Sequence, residues 1–382
     1  MAEYKRLGDY IEPVDERNSK LEIKLSQGIC NEKYFQDPRQ VAENSAADKI
    51  VRQGYFAYNR ATTRNGEKIS IAYREGPDCT VSSAYQVFRI KDEEKLNPKY
   101  LLMWYKRSDF DRYARFRSHG SAHEFFEYDE MCDVYLPLPD IDRQREIVEE
   151  YEMLSRRIRL NEQMIKKLEA TTQTLYCKMF VDGIDKENLP AGWRNGVLGE
   201  VCETQYGYTE TATQQIVGPK FLRITDVVND SIDWSKVPYC PISEKELKKY
   251  KLGLGDIVVS RTGANIGWAK QIKGDIPDSV FASFLIRIKA KDADMQWMIG
   301  HLVESSDFKA FVAANQQGSA QPQANANILV EFPLIIPDTD SLQLYNLHIL
   351  PINRMLCVKE QENTKLSELQ SLLLAKMGNL KQ

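Results

Sequence analysis

The sequence predicts an α+β fold: two mixed α/β globules related by a pseudo-twofold axis and separated by two long helices packed as an antiparallel coiled coil. Three observations predict it. Short matches recur at one fixed offset, the first part of each copy is rich in strand and turn signals, and the second part carries an unbroken apolar seam. The 382 residues are enough for two to three cores.

The repeat comes first because everything else hangs on it. Gly120-Ser121-Ala122 recurs as Gly318-Ser319-Ala320, and Ser108-Asp109-Phe110 as Ser306-Asp307-Phe308, both 198 residues apart. Arg89-Ile90-Lys91 matches Arg287-Ile288-Lys289 at the same offset, as do Pro139-Asp140 and Pro337-Asp338, Lys167-Leu168 and Lys365-Leu366, and Lys178-Met179 and Lys376-Met377. Leu7-Gly8 pairs with Leu198-Gly199 at offset 191. No single match is strong, but the shared offset indicates two copies of one module.

In the first part of each copy, β-branched and aromatic runs read as strands: Ala84 to Ile90, Phe281 to Ile288, and Asp256 to Val259. Gly and Asn punctuate them. A helical stretch runs from Asn97-Pro98 to about Arg117, since Asn is a good N-cap and Pro suits the first helical position.

The second part reads as a long helix. Ile147, Tyr151, Leu154, Ile158, Asn161, Ile165, Leu168, Thr172, Leu175 and Met179 alternate in steps of four and three, the seam of a coiled coil. The later copy runs Tyr345, Ile349, Ile352, Leu356, Lys359, Asn363, Leu366, Gln370, Leu373 and Met377, a polar-weakened version. Pro351 is expected to kink this helix or to restrict it to the residues beyond. Two one-striped helices in one chain bury their stripes most simply on each other, and the intervening globule returns the chain so that they run antiparallel. Asn161 and Asn363 either fix register as buried amides or lie at frayed, exposed turns. The implied shape is a caliper holding two unequal contact points at a fixed gap.

Composition excludes several classes. Hydrophobic residues make up 42% of the chain and its formal net charge is −4, as in an ordinary soluble protein. Apolar runs such as Ile328-Leu329-Val330 are far short of a membrane span of about 20 residues, so no membrane partner is expected. The first residues lack an apolar signal core, and seven scattered cysteines never form Cys-x-x-Cys. This points to reduced thiols in the cytoplasm and to no structural zinc.

Catalytic signatures are missing too. Asn97-Pro98-Lys99-Tyr100 approaches an amino-methyltransferase motif but has Lys in place of the second Pro and opens a helix, and no Gly-rich cofactor loop accompanies it. No Walker-type phosphate loop occurs, and charged triplets such as Glu244-Lys245-Glu246 read as helix surface rather than a nuclease centre. His119 and His123 have the spacing of a metal pair, but the other copy has Gln317 and Gln321 there, so no metal site is expected. The chain is expected to be non-catalytic and to hold no cofactor.

Local charge points to DNA. Arg52 to Arg74 carries a net +4, Lys106 to Arg117 +3, and Lys248 to Lys273 +5, interspersed with Tyr55, Tyr58, Asn59, Asn265 and Trp268. Lys and Arg neutralise phosphates, while Arg, Asn and Gln pair with base edges. The candidate contacts are Arg60, Thr62, Arg64, Lys68, His119, Ser121 and His123 in the first copy. In the second they are Arg261, Thr262, Asn265, Gln317, Ser319, Gln321 and Gln323. The Gly-Ser-Ala loops occupy equivalent places with different polar residues, as one scaffold reading two sequences would; the plainer alternative is a surface turn.

An ordered series of motifs runs along the chain: Leu136-Pro137-Leu138-Pro139 leading into Arg143 to Val148, Gly192-Trp193 with Leu198-Gly199-Glu200-Val201, Phe221-Leu222-Arg223-Ile224-Thr225-Asp226, Gly255-Asp256-Ile257-Val258-Val259-Ser260-Arg261-Thr262-Gly263, Gln317 to Gln321, and Phe332 to Pro337. This series resembles the specificity subunits of type I restriction-modification systems. The first half departs more: Tyr58 to Arg64 stands where the second half has Val259 to Asn265.

The resemblance implies target recognition domains at 1–140 and 192–338, with spacer helices at 141–182 and 339–382. The domains would read the two halves of a bipartite, asymmetric site in double-stranded DNA. It also implies two methyltransferase (modification) subunits and restriction/translocase subunits as partners, which would supply S-adenosylmethionine, ATP and Mg²⁺ chemistry. Two other readings stand beside it: a stand-alone DNA-modifying enzyme, and a coiled-coil interaction scaffold that does not bind DNA.

Overall fold

The computed structural model describes residues 3–38, 45–61, 68–119, 124–228, 232–316 and 323–378. The chain forms two compact units, Met1–Ile158 with Lys365–Gln382, and Arg159–Thr364. The division falls inside both long helices, Ile141–Phe180 and Thr339–Gly378. Each unit therefore contains a globule and its own stretch of paired helix.

In the first unit, four antiparallel strands lie in the order Ile11–Val14, Tyr85–Ile90, Phe56–Asn59, Ile71–Tyr73. Their inner faces are aromatic: Phe56 stacks on Phe88 with ring centroids 5.1 Å apart, and Tyr105 meets both edge-on. The helical stretch expected from Asn97 to Arg117 is two helices, Pro98–Tyr105 and Ser108–Phe116. Asn97 caps the first, accepting from the N–H groups of Lys99 (2.9 Å) and Tyr100 (3.3 Å). Arg107 is extended (ψ 137°) and ends the helical path before Ser108. Glu3–Arg6 pairs with Tyr135–Leu138 beside the start of the central helix. There Gln144, fully buried, donates to Lys95 O and Pro139 O and accepts from Asn97 N–H.

The second unit repeats this frame. Its sheet order is Cys202–Tyr206, Leu285–Ala290, Ile257–Ser260, Ala269–Gln271, again antiparallel throughout. Helices Gln296–Val303 and Ser306–Ala314, and the short turn Ala326–Val330, start 198 residues after their counterparts at Pro98, Ser108 and Tyr128. The strand expected over Phe281 to Ile288 is interrupted: Leu285 N–H bonds Ala282 O in a turn, so Ser279–Phe281 and Leu285–Ala290 join different sheets. The accessory ladders also differ. Lys49–Val51 pairs antiparallel with Cys79–Val81, whereas Lys220–Leu222 pairs parallel with Ser279–Phe281.

The helices pair antiparallel within each unit. In the second unit, Asn161 Nδ2 donates to Asn363 Oδ1 (2.9 Å), while Phe180 packs edge-on against Tyr345 (5.1 Å). In the first, Gln370 Nε2 donates to Ser155 Oγ (2.6 Å), and the Tyr4 hydroxyl donates to Gly378 O (2.8 Å). The seam residues Ile147, Asn161, Ile349 and Leu356 are buried, and Tyr151, Leu154, Ile158, Ile165, Leu168, Leu175, Ile352, Asn363, Leu366 and Leu373 are half-buried. The polar seam positions find partners: Gln370 has Ser155, and Lys359 pairs with Glu362 at 2.8 Å.

Pro351 does not confine the distal helix to the residues beyond it; helix is continuous from Thr339. The proline sits on the solvent side, and the carbonyl it deprives of a donor belongs to Leu347, itself 68% exposed, so the lost hydrogen bond is on a solvent-accessible turn. No helix among the described residues is long and apolar enough to cross a membrane.

Two predictions follow from these helices. Asn161 is 2% exposed, so Asn161→Leu alone leaves the Asn363 amide unpaired and costs about 1–3 kcal/mol, while Asn161→Leu with Asn363→Leu restores stability or exceeds it, read by urea unfolding. His301 lies buried against Tyr176 (5.7 Å), with Nδ1 2.9 Å from Trp297 O. Burial, helped by Lys273, brings its pKa down to about 4. An unfolded imidazole takes its proton near about 6.5. Between those values the unfolded chain binds more protons, so stability falls as pH drops through this window. Unfolding measured at pH 7 and pH 5 should differ by about 2 kcal/mol on this account, and His301→Gln should flatten that difference.

Candidate nucleic-acid interface

In the first unit the strand Phe56–Asn59 delivers Arg60 to an edge where several segments meet. The Arg60 carbonyl accepts from Phe126 N–H (2.9 Å), Ala61 pairs with Phe125, and His119 and Phe125 exchange backbone hydrogen bonds (3.1 and 2.9 Å). The two feet of segment 120–123 are thus sewn together beside Arg60. Asn59 N–H also bonds Ser70 O (2.9 Å), which returns the far end of segment 62–67 to the same strand. The Arg60 guanidinium lies over Phe125 (5.9 Å), donates to Ala84 O (3.2 Å) and pairs with Glu127 (3.3 Å). Lys68 and His119 are exposed, with His119 Nε2 3.7 Å from Glu130. Thr62, Arg64, Ser121 and His123 lie outside the described residues.

Ile69, the residue after Lys68, is held by a buried ion pair. Lys33 and Asp111 meet at 2.5 Å; Asp111 accepts from Ile69 N–H (3.1 Å) and Lys33 donates to Ile69 O (3.1 Å). Both ends of one peptide residue are gripped by opposite charges. Burial pulls the Lys33 ammonium below the ordinary lysine range, against the raising influence of Asp111.

The second unit builds the same edge from different side chains. The Arg261 carbonyl accepts from Ala324 N–H (2.8 Å) and Thr262 pairs with Gln323, just past the Gly-Ser-Ala segment. Arg261 N–H bonds Phe284 O (3.1 Å). Thr262 is buried, Asn265 is half-buried in the turn Gly263–Asn265, and Gln323 is exposed. The Arg261 guanidinium stacks over Tyr206 (5.0 Å), and its Nε is buried with no acceptor among the described residues. Gln317, Ser319 and Gln321 lie outside the described residues. The structure therefore brings together Arg60 with His119, and Arg261 with Thr262 and Gln323.

The basic segments are not uniformly basic surfaces. Arg52 is paired with Glu16 and Asp78, and Arg74 is buried, donating to Pro77 O and Gln27 (both 2.6 Å). Arg117 is paired with Glu130, Lys251 with Asp278 (2.6 Å), and Lys273 with Glu304 (2.9 Å). Much of the counted charge is neutralised locally. Sequence proximity overstated it, because sheet pairing sends neighbouring cations to different faces.

Sequence reasoning passed over Tyr206, Phe125, Glu127, Lys33 and Asp111. Only Tyr206 carried a visible signal. It ends a strand in Gln205-Tyr206-Gly207-Tyr208, and Gly207 is there because a side chain would collide with the Ala282 carbonyl. The others act through contacts distant in sequence.

Residues 43–170 match the protein family described as Type I restriction modification DNA specificity domain. The match covers about a third of the chain. The chain's fold over 99% of its length is that of the type I restriction-modification S subunit of M. genitalium, at 12% identity, 96% coverage of that chain and a TM-score of 0.60. The HsdS subunit of Thermoanaerobacter tengcongensis aligns over 98% of this chain and 96% of its own at 17% identity, with a TM-score of 0.39. None of the curated proteins matches the sequence. The matched segment contains Arg60 and the residues His119, Phe125 and Phe126 that are hydrogen-bonded beside it.

The ion pair under this edge has a measurable signature. Asp111→Leu strands a buried ammonium and should cost about 3–5 kcal/mol, whereas Lys33→Met combined with Asp111→Leu should recover most of that loss in chemical unfolding. A double variant no more stable than the single would show that the charges themselves are not what Asp111→Leu disrupts.

Proposed function

We propose that this chain is the non-catalytic DNA-recognition subunit of a type I restriction-modification complex, each unit reading one half of a bipartite, asymmetric site in double-stranded DNA. The observation that carries this reading is the repeated edge. At matching places in the two units, an arginine-bearing strand end is hydrogen-bonded to the foot of a Gly-Ser-Ala segment, and the polar residues around it differ. One frame with two side-chain sets suits two unlike half-sites.

In this reading Arg60, Arg64, His119, His123, Arg261, Asn265, Gln317, Gln321 and Gln323 face bases. Thr62, Lys68, Ser121, Thr262 and Ser319 mostly hold phosphates. The long helices form the spacer and dock two methyltransferase subunits, and restriction subunits join them. S-adenosylmethionine, ATP and Mg²⁺ belong to those partners, and the complex works in the cytoplasm. Local neutralisation of so many cations, together with the net charge of −4, supports a chain that binds DNA weakly alone and shares the phosphate contacts with its partners.

Methylation mapping of host DNA tests the reading: deleting the gene should abolish one bipartite motif. Arg261→Ala should weaken or relax recognition in one half of that motif only, by about 1–3 kcal/mol. Equal loss in both halves would refute the assignment of one unit to one half-site.

A further inference from the structure

The second unit holds an aromatic side chain with no assigned task. Tyr206 ends the edge strand Cys202–Tyr206 and is 41% exposed, unusual for a ring so close to a packed sheet. Its face carries the Arg261 guanidinium, and its hydroxyl accepts from Ala326 N–H (3.0 Å). Ala326 opens the short helical turn that follows the Gly-Ser-Ala segment, and Asn325 caps that turn by accepting from Ile328 N–H (3.0 Å). One ring thus touches both the arginine and the foot of the loop.

The arginine needs such a partner. Its backbone is fixed on both sides, by Phe284 O and Ala324 N–H, but Arg261 has no ion pair among the described residues, and its buried Nε has no acceptor. Arg60, its counterpart, is tied by Glu127 and Ala84 O. A guanidinium left to rotate would lose entropy on meeting a base edge, while one stacked on a ring keeps its plane fixed and its outer N–H groups directed outward. The first unit holds its arginine with a carboxylate as well as the Phe125 ring, and the second uses a ring alone, which spends none of the cation's charge on a counter-ion.

We propose that Tyr206 is the positioning residue for Arg261: the ring sets the plane of the guanidinium, and the hydroxyl locks that plane to the loop foot, so that specificity in the second half-site depends on Tyr206 as much as on Arg261. This rests on the DNA-reading function proposed above.

The test uses complexes purified from the host through the full-length chain, offered duplexes randomised in one half-site at a time, with the bound sequences counted. Arg261→Ala should lower discrimination about tenfold at particular positions of one half-site. Tyr206→Leu should lower it at the same positions by a similar factor, and the two substitutions together should do no more than Arg261→Ala alone. Tyr206→Phe keeps the ring but releases it from Ala326 N–H, and should lose part of the discrimination, less than Tyr206→Leu does. The other half-site should be unchanged in every variant, a readout that general unfolding would not spare. If Arg261→Ala relaxes its positions while Tyr206→Leu leaves them intact, or if the two losses multiply, the positioning role is overturned and the DNA reading stands. If the wild-type complex selects no sequence, or Arg261→Ala changes nothing, the DNA-reading assignment falls and takes the positioning role with it.

Discussion

The largest apolar core of each unit is shared between a sheet and a helix pair. In the first, Ile147, Val148 and Met377 belong to the same cluster as Phe56, Phe88, Tyr100 and Tyr105. In the second, Tyr176, Phe180, Leu342, Tyr345 and Ile349 are continuous with Ile257, Ile286 and Val303. Smaller clusters such as Ile29, Val51 and Val81, or Leu222, Val258 and Phe281, close without the helices, but the largest cluster of each unit includes them. The two arginine-bearing edges inherit their rigidity from this. Arg60 and Arg261 each follow a strand whose neighbours in the sheet are packed from behind by that shared core, so the side chains projecting beyond the strand ends start from fixed backbone.

Much of this was legible in the sequence because it rests on periodicity. The step of four and three that marks Ile147 to Met179 is the geometry of a buried helix stripe, and the 198-residue offset is the frame repeated. What failed to show was structure made by local chain reversals and long-range charge. The break between Tyr105 and Ser108, where Arg107 turns extended, and the hydrogen-bonded turn from Ala282 to Leu285 each interrupt a run of suitable residues, and composition announces neither. Lys33 and Asp111 are 78 residues apart, and no local pattern links them. Pro351 does not stop the helix as a local rule allows, because the carbonyl it orphans lies on an exposed turn.

Charge shows the same division between sum and arrangement. A count of cations along a segment treats Arg52, Arg60 and Arg74 alike. Folding gives the first two acidic partners, and it buries the third between a carbonyl and an amide while leaving its guanidinium over Phe35 (5.1 Å). The net charge of a segment therefore says less about its outer surface than the partners that sheet pairing provides.

The offset holds from Pro98 to Phe180 against Gln296 to Gly378 without a single insertion. The two Gly-Ser-Ala segments consequently span the same number of residues between equivalent anchor points. Loop length, the usual variable by which a scaffold acquires a new preference, is unchanged between the copies. Divergence has instead gone into substitution, histidine against glutamine, and into the accessory ladder, antiparallel in one unit and parallel in the other. A lineage built this way can change what it contacts one side chain at a time, without disturbing the helix that begins a few residues later.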